Sequence, residues 1–348
     1  MSITYSSAFL EQQVNSISEL AKYIPSSKVK LVLDTNICII IREFYQRPNK
    51  LSEDSWNFLK QFIQEVHSNN ILIDYSLGCE EACRSNDKFQ INEKKLIQMS
   101  SHLKQVFNMS YEQFLLYRES EVDIAPIKDE TQKHDTKLEA LNEPSSFQNI
   151  MLINYAGLLK SFLIQKFDYD DNLSKLLRFY SFLDNEVDVI GPNLMFGIYL
   201  FGGDTNIRKL LFKKYKDEEQ LLHNILNAAI DLSFLTLVTN RYEVGKYIPV
   251  FATRDIGLGV MFRTMKLRFA ITDEHELSKL PQLVQGTYPT HIWKDKEINK
   301  IDEYITDLRS RRLNKSLEID NSKKANVLNN LLLLCGRLEK QIKEKIKN

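Results

Sequence analysis

The sequence predicts an α/β chain built on a parallel sheet, broken by a large helical insertion and followed by a helical C-terminal extension. Three observations predict it. Two short apolar segments, "KLVLD" at 30–34 and "ILID" at 71–74, alternate with helical patterns, and strand, helix, strand, helix is the order a parallel sheet requires. The alternation returns after residue 221, where a long apolar helix precedes "YIPVFATRDIG" at 247–257. Between these halves, from about 92 to 220, apolar residues recur at three- and four-residue steps, the spacing of an amphipathic helix.

Taken in order, Leu10, Val14, Ile17, Ala21 and Ile24 stand at helical spacing and predict a helix before the first strand. Leu31–Leu33 form that strand, and Ile37–Ile41 resume the apolar character after it. "DSWNFLKQFIQEVH" repeats the helical pattern through Trp56, Leu59, Phe62, Ile63 and Val66. Asn69 and Asn70 mark a turn, "ILIDYSLG" reads as the second strand, and a helix opens at Glu80. "LIQMSSHLKQVF", "FQNIMLINYAGLLKSFLIQKF" and "NLSKLLRFYSFL" supply the insertion, with the polar "IKDETQKHDTKLEALNEPSS" inside it. A helix from Leu221, the strand "PVFAT", a short helix through Leu258 and Phe262, and a strand "MKLRFAI" complete the second half. The expected organisation is therefore an N-terminal helix at 1–27, the α/β halves at 28–100 and 221–280, the insertion at 101–220, and the extension at 281–348.

Composition restricts the classes of function. Lysine plus arginine equal aspartate plus glutamate at 46 each, so no global field draws in nucleic acid, and a nucleic-acid partner needs a local patch. From Lys296 onward thirteen basic residues face eight acidic ones, which makes the extension such a patch. "MSITYSSAFLEQQ" lacks the basic and apolar regions of a signal peptide. No uninterrupted apolar run approaches the roughly 20 residues of a bilayer span, so no membrane is expected and the location expected is cytoplasmic. The cysteines at 38, 79, 83 and 335 form no C-x-x-C pair and read as reduced, buried thiols. Neither a G-x-G-x-x-G nor a P-loop stretch is present, which argues against dinucleotide and P-loop chemistry.

One position breaks the apolar pattern. Asp34 follows a buried strand and precedes Thr35 and Asn36, and an ionised carboxylate costs several kcal/mol to bury without a partner. Asp255 ends the strand "PVFATRD", and Glu80 follows the strand "ILIDYSL". The carboxyl ends of parallel strands share one edge, where ligand sites lie. Asp231, set among apolar residues in "NAAIDLSFL", joins that edge if its helix runs antiparallel to the strands. Each acid alone also fits a helix cap or a turn. Together, four converging carboxylates repel, at about 4 kcal/mol for a pair ~4 Å apart in an effective dielectric near 20. A hard divalent cation, Mg²⁺ or Mn²⁺, resolves that repulsion and brings the chemistry of phosphate-ester hydrolysis.

The order of these motifs resembles the PIN domain nucleases. Asp34, Thr35 and Asn36 match the family's first motif, Glu80 its second with Glu81 as a one-residue alternative, Asp231 its third, and Thr253 with Asp255 its fourth. The resemblance implies a Rossmann-like three-layer α/β/α core, over about 28–100 and 221–280, that cuts RNA, less often DNA, with Mg²⁺ or Mn²⁺ held by Asp34, Glu80, Asp231 and Asp255. Thr35, Asn36 and Thr253 would orient those acids, and Arg254 would meet a phosphate. Arg309, Arg311, Arg312 and Lys315 in the extension would add phosphate contacts. The competing expectation is a catalytically silent PIN-like module that binds nucleic acid or assembles with a protein partner or a second copy through "VLNNLLLLCGRLEKQI".

Overall fold

The computed structural model describes residues 3–7, 10, 14–84, 91–125, 146–187, 191–239, 246–264, 268–269, 283–284, 292–316 and 324–347. In chain order the elements are β1 (Thr4–Ser6), α1 (Ile17–Leu20), β2 (Val29–Leu33), α2 (Thr35–Gln46), α3 (Glu53–Asn69), β3 (Leu72–Asp74), α4 (Ser76–Ala82), α5 (Glu93–Asn108), α6 (Tyr111–Tyr117), α7 (Ser146–Phe167), α8 (Asn172–Glu186), α9 (Gly191–Phe201), α10 (Thr205–Leu211), α11 (Glu218–Thr239), β4 (Ile248–Thr253), α12 (Ile256–Thr264), β5 (Arg268–Phe269), β6 (Leu283–Val284), α13 (Asp295–Ser316) and α14 (Lys324–Lys347). The chain is α/β and mostly helical. It divides into two compact units, residues 1–136 with 237–264, and residues 137–236 with 265–348.

The first unit carries a four-stranded sheet in the order β1-β4-β2-β3. β2 runs parallel to both β3 and β4, and β1 closes the other edge antiparallel to β4. The sheet is thus mixed, which corrects the all-parallel expectation. The cause lies at the N-terminus. Tyr5 pairs with Ala252 of β4 and also bridges Val14. That pairing replaces the long helix expected over 10–24 and leaves only α1, capped by the Ser16 side chain. Leu10, Val14, Ile17 and Ile24 are buried as their spacing suggested, whereas Ala21 is exposed.

β2 is central because it carries no outward face: Leu31, Val32 and Leu33 are fully buried, each worth about 1.5–3 kcal/mol relative to exposure. α2 begins immediately after it and packs on α3, α4 and α5. The far end of α2 is fixed by an aromatic cluster, with Phe44 4.6 Å from Phe114 of α6, and Trp56 of α3 5.3 Å from the same ring. α3 buries Leu59, Phe62, Ile63 and Val66, starts on a Ser52 cap, and ends with Asn70 at φ 48°, as its pattern and the Asn-Asn turn predict. The strand expected through Leu77 stops at Asp74, because that carboxylate accepts bonds from the Ser76 N–H (3.0 Å) and hydroxyl (2.7 Å). α4 therefore opens at Ser76, four residues before the predicted start.

The second unit holds α7, α8, α9, α10, most of α11, the ribbon β5–β6, α13 and α14. α14 packs along α7, and α8 along α9. Tyr155 of α7 donates to Glu339 of α14 at 2.6 Å. The expected strand 265–271 contributes only Arg268 and Phe269 among the described residues, and these pair antiparallel with Leu283–Val284 in a separate ribbon instead of joining the main sheet. Within α11, Glu218–Val238 is long and apolar enough to cross a membrane by length and composition, and 78% of its apolar window is buried inside the protein. In the acidic turn 168–172, Asp168 and Asp170 bind Arg178 and Asp171 caps α8, so the turn is a local charge network.

Candidate acidic site at the sheet edge

Register alone brings two of the predicted residues together. Leu33 of β2 lies opposite Ala252 of β4, so Asp34 and Thr253 emerge side by side at the carboxyl end of the parallel strands. The Asp34 N–H donates to the Ala252 carbonyl at 2.9 Å, which extends the ladder by one bond. Asp34 then holds the N-cap position of α2, yet its side chain makes no capping bond. The buried carboxylate (3% exposed) instead accepts from the Thr253 hydroxyl at 2.7 Å and, at 3.4 Å, from the Asn36 amide. The cap explanation for Asp34 is therefore not the one its side chain follows.

Thr253 has a second role. Its oxygen accepts the Asp255 N–H at 2.9 Å, which fixes the turn between β4 and α12. Asp255 is exposed and caps α12 by accepting from the Leu258 N–H at 3.0 Å. Its negative charge still reaches Asp34. Burial lifts the Asp34 pKa from 3.8 to about 6; the Thr253 bond and the Thr35 N–H oppose the rise, and the Asp255 charge adds to it.

The third carboxylate at this edge is Glu81. Gly78 makes its position possible: a Cβ there would lie 2.7 Å from Cys38 Sγ and 2.8 Å from the Leu33 carbonyl oxygen. The bare backbone lets α4 seat directly on the junction of β2 and α2. Glu81, three residues on, shares that helix face, and its carboxylate accepts a bond from the Thr35 hydroxyl. Burial raises its pKa to about 7 against the Thr35 bond, the Asp34 charge raises it further, and the Arg84 charge lowers it.

Among the predicted residues, then, Asp34, Thr35, Asn36, Thr253 and Asp255 are brought together, and Glu81, expected only as the alternative to Glu80, joins them through Thr35. Glu80 lies half-buried in the same turn of α4. The signal for Glu81 was present in the sequence as its three-residue spacing from Gly78. Asp231 is half-buried on α11, in the second unit. Arg254 stacks over Phe58 at 4.4 Å and pairs with Asp54 at 3.0 Å, which ties its guanidinium to α3. Arg311 pairs with the buried Asp184 at 3.3 Å. Arg309, Arg312 and Lys315 lie on α13 with side chains outside the described residues.

Among the described residues, no three His, Cys, Asp or Glu side chains are grouped so as to hold a metal ion. The donors at the edge are nevertheless all oxygen, and two of them, Asp34 and Glu81, are carboxylates whose ionised forms burial and neighbouring charge disfavour. A divalent cation would relieve that penalty. Mg²⁺ characteristically uses one or two carboxylates and leaves its other positions to water and substrate phosphate, so the donor set fits an open hard-cation site and not a closed cage. Compared with known proteins, the chain matches no family model, no curated protein and no solved structure.

Proposed function

We propose that the first unit is a metal-dependent nuclease domain with a PIN-type, Rossmann-like core, acting on phosphodiester bonds in RNA in preference to DNA. The observation that carries this reading is Asp34: a buried carboxylate at an N-cap position whose side chain does not cap, beside a second carboxylate, Glu81, that it disfavours. A fold selected for stability alone has no use for that repulsion. The order β4-β2-β3, parallel and with the acids at the carboxyl edge, supports the same reading.

When bound, Mg²⁺ or Mn²⁺ supplies charge neutralisation at a phosphoryl oxygen and a water of lowered pKa. Asp34 and Glu81 would hold the cation, with Asp255 at the rim. Thr253 holds Asp34 in place from β4, and Thr35 holds Glu81 from the first turn of α2. Both hydroxyls come from rigid element ends, which limits rotation of the carboxylates. Burial of Asp34 and Thr35 keeps bulk water off one side of the site.

The test is cleavage of end-labelled single-stranded RNA, structured RNA and DNA with Mn²⁺, Mg²⁺ or EDTA, wild type beside Asp34→Asn. Metal-dependent cutting that disappears in the variant supports the nuclease. No cutting of any substrate favours the silent binding or assembly module. That second reading has its own observation in Leu333, which stands 61% exposed on α14 amid the buried Leu331, Leu332 and Leu334.

A further inference from the structure

A second polar site lies further along α2, within the first unit. Arg42 and Gln46 stand seven and eleven residues beyond Thr35, so they continue the face of α2 that carries Thr35 at the acidic edge. With Lys95 and Gln98 of α5 they line a cavity of about 120 Å³ that Ala82, Cys83 and Met99 complete. At water's liquid share of about 30 Å³, that is room for roughly four waters or one small polyatomic ion.

Two donors in the lining, both on α2, lack an acceptor among the described residues. Gln46 is only 5% exposed and its Nε2 has no hydrogen-bond partner; Arg42 Nε is likewise buried without one. The only carboxylate paired with Arg42 among the described residues is Glu43, at 3.8 Å, beyond hydrogen-bond distance. Next to it, His102 is 7% exposed with Nδ1 unpartnered, and burial together with the Arg42 charge holds its pKa below the ordinary histidine value. Unpaired buried donors cost about 1–3 kcal/mol each, and an arginine and an amide N–H left unmet on one helix face are the donors an oxyanion takes.

We propose that this cavity between α2, α4 and α5 binds a phosphate group, either the free ion or a phosphomonoester at the end of a larger molecule. A tetrahedral oxyanion presents acceptors in four directions, which suits Arg42 and Gln46 on one wall and Lys95 and Gln98 on the other. None of the acids at the sheet edge lines it, and the binding needs no metal.

The experiment is titration in EDTA of the full chain with inorganic phosphate, a 5′-phosphorylated trinucleotide of RNA and the same trinucleotide with a 5′-hydroxyl. Binding is read by calorimetry and by the ¹⁵N shifts of Arg42 Nε and Gln46 Nε2. Saturable binding of phosphate or of the phosphorylated trinucleotide, shifting both nitrogens, and weakened about tenfold or more in Arg42→Met and in Gln46→Met, supports the site. Tighter binding of the phosphorylated trinucleotide than of phosphate assigns a strand end as the source; equal binding assigns the free ion. Gln46→Met keeps the side-chain volume and removes an unsatisfied donor, so it should fold with unchanged or higher stability. No saturable binding, or binding that both variants retain, overturns the proposal. Because no metal is present, this result is independent of whether the acids cut RNA.

Discussion

Replacing Asp34 by asparagine should make the metal-free protein more stable at neutral and alkaline pH. The folded-state pKa of Asp34 is raised from 3.8 to about 6. The folded protein therefore holds this proton more tightly than the unfolded chain, and stability falls as pH climbs through that window. The penalty is complete once pH has passed well above about 6. At 1.36 kcal/mol per pH unit it amounts to at most about 3 kcal/mol. Glu81, raised from 4.5 to about 7, adds loss of the same sign. Asparagine carries no charge, fits an N-cap as well as aspartate and retains an oxygen for the Thr253 hydroxyl, so Asp34→Asn should gain about 1–3 kcal/mol at pH 8 and almost nothing at pH 4. Urea denaturation in EDTA at both pH values measures it. A variant less stable than wild type by about 1 kcal/mol or more at pH 8 would instead make Asp34 a structural partner.

Further outcomes follow from the same geometry. Gly78→Ala drives a methyl into the Leu33 carbonyl and Cys38 Sγ, so α4 must shift; a loss of about 1–3 kcal/mol in urea, with weakened Mn²⁺ binding, is expected. Thr35→Val removes the bond to Glu81 and should raise the Glu81 pKa above about 7, read by carboxyl ¹³C titration; an unmoved titration would contradict the contact. Since the carboxylates must ionise to hold a cation, apparent Mn²⁺ affinity should strengthen about tenfold or more between pH 5.5 and 7.5, measurable by calorimetry. Arg254→Met removes the stacking on Phe58 and should lower stability by about 0.5–2 kcal/mol while changing RNA cleavage little; loss of cleavage at full stability would instead support Arg254 as a phosphate contact.

Much of the first unit was legible in local patterns. β2, α3 and β4 follow from apolar runs and helical spacing, α2 was marked only by the apolar Ile37–Ile41, and Asp34 with Asp255 follows from the rule that parallel strands share a carboxyl edge. Three features were not legible. Tyr5 pairs with Ala252, far away in the sequence, and bridges Val14, so helical spacing suggested the wrong element at Val14, while Ile17 does open α1. The choice between Glu80 and Glu81 depends on where α4 starts, which the Asp74 carboxylate decides by capping Ser76. The cavity beside Arg42 draws on three helices, and "IIIREFYQ" gives no sign that Gln46 is buried with an unmet donor. The second unit was legible as helices but not as pairs, because apolar spacing gives a buried face without its partner.

Titration of the metal-free chain with Mn²⁺ at pH 7.5, with wild type, Glu81→Gln and Glu80→Gln side by side, tests the central claim most directly. Wild type should bind saturably, Glu81→Gln should abolish or weaken binding by about tenfold or more, and Glu80→Gln should largely retain it. Wild-type protein that binds no Mn²⁺, or a Glu81→Gln variant that binds it as wild type does, would contradict the claim that Asp34 and Glu81 are placed together to hold a cation.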